Sequence, residues 1–285
     1  MYHPRRLAAR GLFFLTAIAI SALLLSACSA IGLNLVTAEE TVSEVFPAQD
    51  NLTVEAATFN GDIVISTDST GQISVTVIKR GAGGSQADAE SDLENIDVSI
   101  TQEGSQLTVI AKRTSRMLVG NTGAEIRITV PAEVAQLDLK TSNGGISTQG
   151  VKGDVLAQTS NGGIEIEEGS GKLELQTSNG RIKVAAENAL VLADTSNGKI
   201  EFLGSLAPGT SNFDTSNGAI EISLPSDAEF ELNADTSNGS VSCDYPITVS
   251  GTMKKDRLSG TVGTDPQSTI IANSSNGSIR IQASP

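Results

Sequence analysis

The sequence predicts an all-β protein in which copies of one short motif form the coils of a single-stranded β-solenoid, with about 18–21 residues per rung. Three observations carry this prediction. A six-residue motif recurs at a nearly fixed period, apolar and polar residues alternate on both sides of it, and no helical pattern interrupts the repeats. An antiparallel β-meander of hairpins is the alternative, because Asn-Gly between alternating strands is also a hairpin signal.

The motif reads T-S-N-G-x-I, and its copies begin at residues 141, 159, 177, 195, 215, 236 and 274, with a weaker copy, TFNGDI, at Thr58. The successive steps are 18, 18, 18, 20, 21 and 38 residues, and we interpret the last step as two periods in which one turn has lost its motif. Stacked coils place identical residues about 4.8 Å apart, so that Thr and Asn form hydrogen-bonded columns. The predicted turn ladder consists of Asn143, Gly144, Asn161, Gly162, Asn179, Gly180, Asn197, Gly198, Asn217, Gly218, Asn238, Gly239, Asn276 and Gly277.

Two short strands flank each motif. Apolar residues such as Leu173 and Leu175 precede a motif, and residues such as Ile164 and Ile166 follow one, with polar residues between them. This period of two predicts strands with one buried and one solvated face. Counted from the motif Thr, the apolar residues lie at even positions before the motif and at odd positions after it. One residue is therefore taken up in a bend, which we expect at Asn-Gly, where both residues tolerate positive φ. A meander would need a second layer to cover its apolar face, whereas a solenoid buries its own, and we therefore favour the solenoid.

The first 27 residues have the layout of a lipoprotein signal peptide. Arg5, Arg6 and Arg10 precede an apolar run, residues 11–25, that is too short for a comfortable membrane span. The segment Leu25-Ser26-Ala27-Cys28 resembles the bacterial lipobox, in which the signal is cut before the cysteine and the cysteine is acylated. Several acyl chains on Cys28 would hold the protein on a membrane, since each buried CH₂ contributes about 0.8 kcal/mol.

Three further segments are predicted to follow the signal peptide. Residues 28–40 form a lipidated tether, residues 41–134 an irregular β part that caps the solenoid, and residues 135–285 the regular repeats. The polar stretch Ser85–Ile96 is expected to be a surface helix or loop, and Pro285 suits an edge at the far end. The predicted location is the bacterial cell envelope, outside the cytoplasm, and the outer membrane where the organism has one.

The composition of the mature chain excludes several functions. Three of the 19 basic residues lie in the leader, so 16 basic residues face 33 acidic ones, a net charge of −17. This balance argues against nucleic acid as a partner. His3, the one histidine, lies in the leader, which excludes catalysis by histidine. Cys243 is the only thiol besides Cys28, so no disulfide framework is expected within one mature chain.

The candidate sites are weak outside Cys28. Asp194, Asp214 and Asp235 share one position in three successive repeats, and a column of carboxylates could hold calcium, although solvated Asp residues are the simpler interpretation. Tyr245 is a lone candidate for a sugar platform, and Cys243 is expected to face inward as a small apolar residue. No catalytic residue and no cofactor is predicted.

The serial T-S-N-G-x-I units, the weaker N-G-D-I and the closing LSGTVGTDPQSTIIANSSNGSIRI resemble a bacterial family of proposed adhesins of unknown function, similar to "head GIN" adhesin domains. The resemblance covers residues 42–285. It implies a right-handed β-solenoid on an exported or anchored protein.

The resulting expectation is a lipid-anchored, extracytoplasmic β-solenoid without catalytic activity, acting as a surface scaffold or adhesin. Its partners would be the membrane, through the lipid on Cys28, and a surface polymer or protein ligand. Two alternatives remain open at this point: an enzyme that acts on polysaccharides through carboxylates, and a structural protein that assembles end to end.

Overall fold

A computed structural model describes residues 35–114, 122–250 and 254–284 of the chain. The fold is all-β, as predicted, and the described residues form 21 strands joined in one large open sheet. The elements of the N-terminal part are β1 (Val36–Pro47), β2 (Thr53–Thr58), β3 (Ile63–Thr67), β4 (Gln72–Gly83), α1 (Gln86–Leu93), β5 (Ile96–Glu103), β6 (Gln106–Arg113) and β7 (Gly123–Val130).

The motif copies join the strands of the second part. These are β8 (Glu133–Thr141), β9 (Ile146–Gln149), β10 (Lys152–Thr159), β11 (Ile164–Thr177), β12 (Ile182–Thr195), β13 (Ile200–Leu206), β14 (Gly209–Thr215), β15 (Ile220–Leu224), β16 (Phe230–Thr236) and β17 (Val241–Cys243). The chain ends with β18 (Ile247–Val249), β19 (Arg257–Val262), β20 (Ser268–Ser274) and β21 (Ile279–Ala283).

Consecutive motif copies from Thr141 to Thr215 lie side by side in parallel register. Thr159 pairs with Thr177, Thr177 with Thr195, and Thr195 with Thr215. The strands that follow the motifs pair in the same way, and Ile164 lies opposite Ile182. A meander of hairpins would require antiparallel pairs across each Asn-Gly corner, so the parallel pairing decides against that alternative. We call one pre-motif strand, its corner and the post-motif strand a rung.

The inward side chains of the rungs form one continuous core. The Ile of the motif stacks in a column with its counterparts in neighbouring rungs, and these residues are at most 1% exposed. The column consists of Ile126, Ile63, Ile146, Ile164, Ile182, Ile200, Ile220 and Ile279. Such burial favours each rung by roughly 1.5–3 kcal/mol per large aliphatic side chain, which makes the pattern of alternation the main determinant of the stack.

The N-terminal part both extends and covers the stack. The weak motif copy joins the ladder directly, since Thr58 pairs with Thr141 in parallel. Beyond it, β4 pairs antiparallel with β1 on one side and with β7 on the other, and β5 pairs antiparallel with β6. The strand β1 begins at Val36, so residues 36–40, assigned above to the tether, belong to the sheet. The polar stretch at Ser85–Ile96 contains α1, whose first turn is capped by the Ser85 hydroxyl accepting from the Asp88 N–H.

The spatial order of the rungs differs from their chain order at the C-terminal end. The last rung, β20 and β21, lies between the rung of β14–β15 and the rung of β16–β17. The step of 38 residues is therefore not two stacked periods with a lost motif. Its extra residues form β18 and β19, and β19 runs antiparallel along the outer side of β16. The last described strand, β21, is thus an interior strand with a neighbour on each side. Pro285, expected above to suit an edge, lies outside the described residues.

The corner glycines are required by close stacking and not by positive φ. In the seven described corners of the full motif, no Asn or Gly has φ in the left-handed region, contrary to the expectation from sequence; the corner of the weak copy differs, with Gly61 at a φ of +132°. A Cβ on Gly180 would instead stand 1.8 Å from the Gly162 carbonyl oxygen of the next rung. Real Cβ atoms do not approach so closely, so the rungs could stack at their spacing only with glycine at this position.

Replacing Gly180 with alanine should therefore destabilise the protein by about 3 kcal/mol or more, because the methyl group forces two rungs apart. Gly145→Ala is the matched control: a Cβ there lies 3.5 Å from its nearest contact, the Gly163 carbonyl oxygen, and should change stability by less than about 0.5 kcal/mol. Urea unfolding of the two variants measures both values. Similar losses for the two would contradict the stacking constraint.

Candidate functional site

Each corner of the stack carries two side-chain hydrogen bonds that bind neighbouring rungs. The Thr hydroxyl is buried and donates to the Gly carbonyl of the adjacent rung, as Thr177 does to Gly162 at 2.9 Å. The side-chain amide of each Asn donates to the side-chain oxygen of the Asn in the adjacent rung, as Asn179 Nδ2 does to Asn161 Oδ1 at 2.9 Å. The corner is therefore held by side chains as well as by backbone, which explains why the letters themselves recur.

The asparagine ladder is continuous over seven rungs. Its six side-chain bonds measure 2.8–3.0 Å and follow the spatial order of the rungs. The members in that order are Asn143, Asn161, Asn179, Asn197, Asn217, Asn276 and Asn238. All seven predicted Asn–Gly corners therefore lie in one column, although the last two are exchanged relative to the chain. The weak copy departs from the ladder, because the Asn60 amide donates to the Thr122 carbonyl at 2.6 Å.

One outward surface follows the corner and is crossed by ion pairs; we call it the ion-pair face. Its central column is Glu165, Lys183, Glu201 and Glu221, held side by side by the register. Lys183 reaches Glu165 at 2.5 Å, and this hydrogen bond, followed by the charge of Glu165, raises the pKa of the Lys183 ammonium. Lys199 bridges Glu201 and Glu221 at 2.8 and 2.7 Å. Charges on this face largely neutralise one another between rungs.

A second outward surface precedes the corner, and we call it the amide face. Its column next to the buried Thr reads, in spatial order, Gln158, Gln176, Asp194, Asp214, Asn273 and Asp235. A shallow groove of about 270 Å³ lies on this face, lined by the first four of these residues together with the half-buried Leu156 and Leu192. The face thus offers amide donors, carboxylate acceptors and apolar contacts at regular intervals.

A match to a family model identifies the family of this chain. The family model of the Toastrack domain, DUF4097, matches residues 136–282, which are 147 of the 285 residues. The chain belongs to the DUF4097 Toastrack family. The match begins in β8 and ends in β21, and so contains every T-S-N-G corner as well as the inserted terminal rung.

Solved structures similar to this Toastrack protein share little sequence with it. They include a proposed adhesin from Bacteroides fragilis (11% identity, 85% of this chain and 96% of that chain, TM-score 0.38) and one from Parabacteroides merdae (12%, 85% and 95%, 0.35). A proposed cell adhesion protein from Clostridium sporogenes covers 85% of this chain and 99% of its own at 12% identity and a TM-score of 0.31. No curated protein matches the sequence. TM-scores this low carry no argument about function.

The three predicted cation ligands do not form one cluster. Asp194 and Asp214 are neighbours, but Asn273 of the inserted rung separates Asp214 from Asp235. The Asn273 amide donates to Asp214 at 2.8 Å, and Asp235 forms an ion pair with Arg257. In the part of the chain that the structure describes, no group of three His, Cys, Asp or Glu residues could hold a metal ion. The sequence does show Asn273 at the repeat position that Asp194, Asp214 and Asp235 share. Its place between Asp214 and Asp235 cannot be inferred from the order of the repeats along the chain.

The remaining candidates are packing residues or lie outside the described ranges. Tyr245 is buried, packs edge-on against Phe230 at 5.2 Å, and lies 2.7 Å from the Leu224 carbonyl as a hydroxyl donor. Burial raises its pKa to about 12. Cys243 is half-buried, and burial raises the pKa of its thiol, which disfavours the reactive thiolate. Cys28 lies outside the described residues, and no described helix is long and apolar enough to cross a membrane.

The neighbouring carboxylates of Asp194 and Asp214 predict that the stability of the folded state depends on pH. Burial, and then the charge of Asp214, raise the pKa of Asp194. A raised carboxyl pKa stabilises the folded state below that pKa, and the contribution is lost as the pH rises through it. Asp194→Asn should therefore raise the melting temperature at pH 7, and the gain should vanish near pH 3, where the carboxyl is protonated in both states. Asp235→Asn, which loses its ion pair with Arg257, should give no such gain. An equal gain at both pH values for Asp194→Asn would contradict the assignment.

Proposed function

We propose that this Toastrack protein is a non-catalytic scaffold of the bacterial cell envelope that adheres to a surface polymer or protein ligand. In this proposal the rungs wind as a single-stranded, right-handed β-solenoid, and acyl chains on Cys28 hold the mature chain on the membrane outside the cytoplasm. The observation that carries the proposal is the in-register stack itself. It repeats one set of outward side chains along a rigid axis, which suits an extended partner better than a small substrate.

The amide face is the better candidate for adhesion. Adhesion by a repeat surface requires hydrogen-bonding groups that are not already committed to one another. On the ion-pair face the carboxylates are engaged by lysines and arginines of the same or adjacent rungs. On the amide face, Gln158 and Gln176 are only loosely joined, at 3.4 Å, and lie beside a groove with apolar walls. Amide donors next to Leu156 and Leu192 are suited to a neutral, extended chain that is partly apolar.

Carboxylate catalysis receives less support than binding. A glycosidase needs two carboxyl groups with distinct roles converging on one bond. Asp194 and Asp214 adjoin in register and line an open groove, but both are carboxylates of the same column in the same kind of environment. Carboxylates elsewhere on the rungs, such as Glu165 and Glu201, are neutralised by ion pairs. We therefore propose that the chain binds without turnover.

Adhesion predicts a loss of binding when amide donors are replaced by carboxylates of equal size on the amide face. The double variant Gln158→Glu and Gln176→Glu should bind at least about tenfold more weakly, or about 1.4 kcal/mol, to the polymer selected by a screen of isolated envelope polymers. Gln149→Glu, which makes the same change at an exposed site outside this face, should bind like wild type. Equal weakening by both variants, or no polymer bound by the wild type, would refute the proposed surface.

Anchoring through Cys28 is tested on intact cells. Labelled palmitate should be incorporated into the wild-type protein, and the protein should sediment with membranes. Cys28→Ser should lose the label and leave the membrane fraction, whereas Cys243→Ser should retain both. A labelled Cys28→Ser protein would rule out this anchor without affecting the proposed binding surface.

A further inference from the structure

The terminal rung fills a slot between two rungs that precede it in the chain. The strand β20 pairs over seven residues with β14 on one side and over seven with β16 on the other. Its Ser274 lies opposite Thr215 and also opposite Thr236. The following strand, β21, pairs over five residues with β15 and over three with β17.

The corner bonds of this rung are complete on both sides. Asn276 donates to Asn217 at 2.9 Å and accepts from Asn238 at 3.0 Å. The Ser274 hydroxyl donates to the Gly218 carbonyl at 2.9 Å, and Thr236 donates to the Gly277 carbonyl at 2.8 Å. The slot therefore recognises a complete rung with a Ser or Thr, an Asn and a Gly at fixed positions.

The two rungs on either side of the slot, β14–β15 and β16–β17, could also pair with each other; we call them the walls of the slot. Thr215 and Thr236 each pair with Ser274, so removing the terminal rung would bring the two walls into the same register without a shift. Asn238 would then meet Asn217, and Gly239 would meet Gly218. This closed arrangement is the state that competes with insertion of the terminal rung.

Within the described residues, this rung is joined to the other strands through one connection only, the segment between β19 and β20. This connection is the five-residue loop between Val262 and Ser268, in which Gly263 has a φ of +84°. In the other rungs both ends are continuous with neighbouring strands, which prevents separate release.

We propose that the rung Ser268–Ala283 is exchangeable between two copies of this chain, each inserting its terminal rung into the slot of the other. An exchanged dimer makes the same pairings as the monomer, so the two states differ mainly in the loop and in protein concentration. A second copy is the fitting partner because its strand carries the required motif. It also carries Asn273, a neutral amide that separates the charges of Asp214 and Asp235.

The test uses full-length chains in which Cys28 and Cys243 are replaced by serine. One preparation carries Thr210→Cys and the other Thr269→Cys, with different affinity tags. These positions face each other in the parallel register, at a spacing of about 4.8 Å that a disulfide can bridge. The two are mixed in denaturant, refolded together at high concentration and oxidised. Exchange predicts a disulfide-linked dimer that carries both tags.

The matched control is the pair Lys172→Cys and Leu190→Cys, which face each other in the same column but belong to strands that are joined to other described strands at both ends. We expect at least about fivefold more linked dimer from the terminal-rung pair. Equal yields for the two pairs would overturn the proposal. The arrangement in one chain is checked with Thr210→Cys combined with either Thr269→Cys or Glu231→Cys. Linkage mainly to position 231 would mean that the walls are closed on each other, and would also overturn it.

Shortening the loop provides an independent measurement. Val262 and Ser268 lie on opposite sides of Phe230, about 9.6 Å apart, because both pair with it. Deleting residues 263–267 joins them directly at a Cα–Cα distance of about 3.8 Å, so the terminal rung cannot reach its own slot, while a second copy can still accept it. Light scattering should then show a shift from monomer to dimer. A shortened protein that stays folded and monomeric would contradict exchange.

Discussion

The close approach of rungs at the T-S-N-G corner is the constraint on which the rest of the structure depends. The carbonyl oxygen of each corner glycine lies so close to the Cα of the corner glycine in the adjacent rung that this Cα cannot carry a methyl group. Gly162 and Gly180 are one such pair. The buried Thr hydroxyl then has an acceptor within reach, and the Asn amides meet in a column. Small displacements would break all three contacts together, so each corner fixes the height of the next rung. The apolar alternation supplies most of the burial, but the corner sets the register.

The same constraint shapes the outer surfaces. Because every rung has the same height and register, outward residues fall into columns whose neighbours are decided by the repeat and not by local folding. Glu165, Lys183 and Glu201 are therefore neighbours in one column because of the register alone. The amide face has fewer such pairings, and this difference between two sides of one stack is the physical basis for assigning adhesion to it. A ligand would meet a surface that is already rigid, so little entropy is lost on the protein side.

Much of this architecture could be predicted from the sequence. The all-β class, the parallel columns and the Asn ladder follow from repeated letters and alternation, because each depends on local pattern. The inserted terminal rung could not, because Ser274 satisfies either neighbour equally well and the pattern of letters is the same for both orders. The role of glycine was misjudged for a related reason: close approach between rungs is a long-range property, whereas positive φ is a local one. The separation of Asp214 from Asp235 by Asn273 depends on the same unpredictable insertion.

The asparagine ladder also gives the stack a direction. Each amide, from Asn238 and Asn276 down to Asn161, donates toward the N-terminal end, so that all six bonds point the same way. Hydrogen bonds in such a chain polarise one another. Their dipoles add along the axis, as the peptide dipoles of a helix do. The two ends of this edge consequently differ in electrostatic sign, positive beside Asn143 and negative beside Asn238, although the side chains that produce the difference are all uncharged.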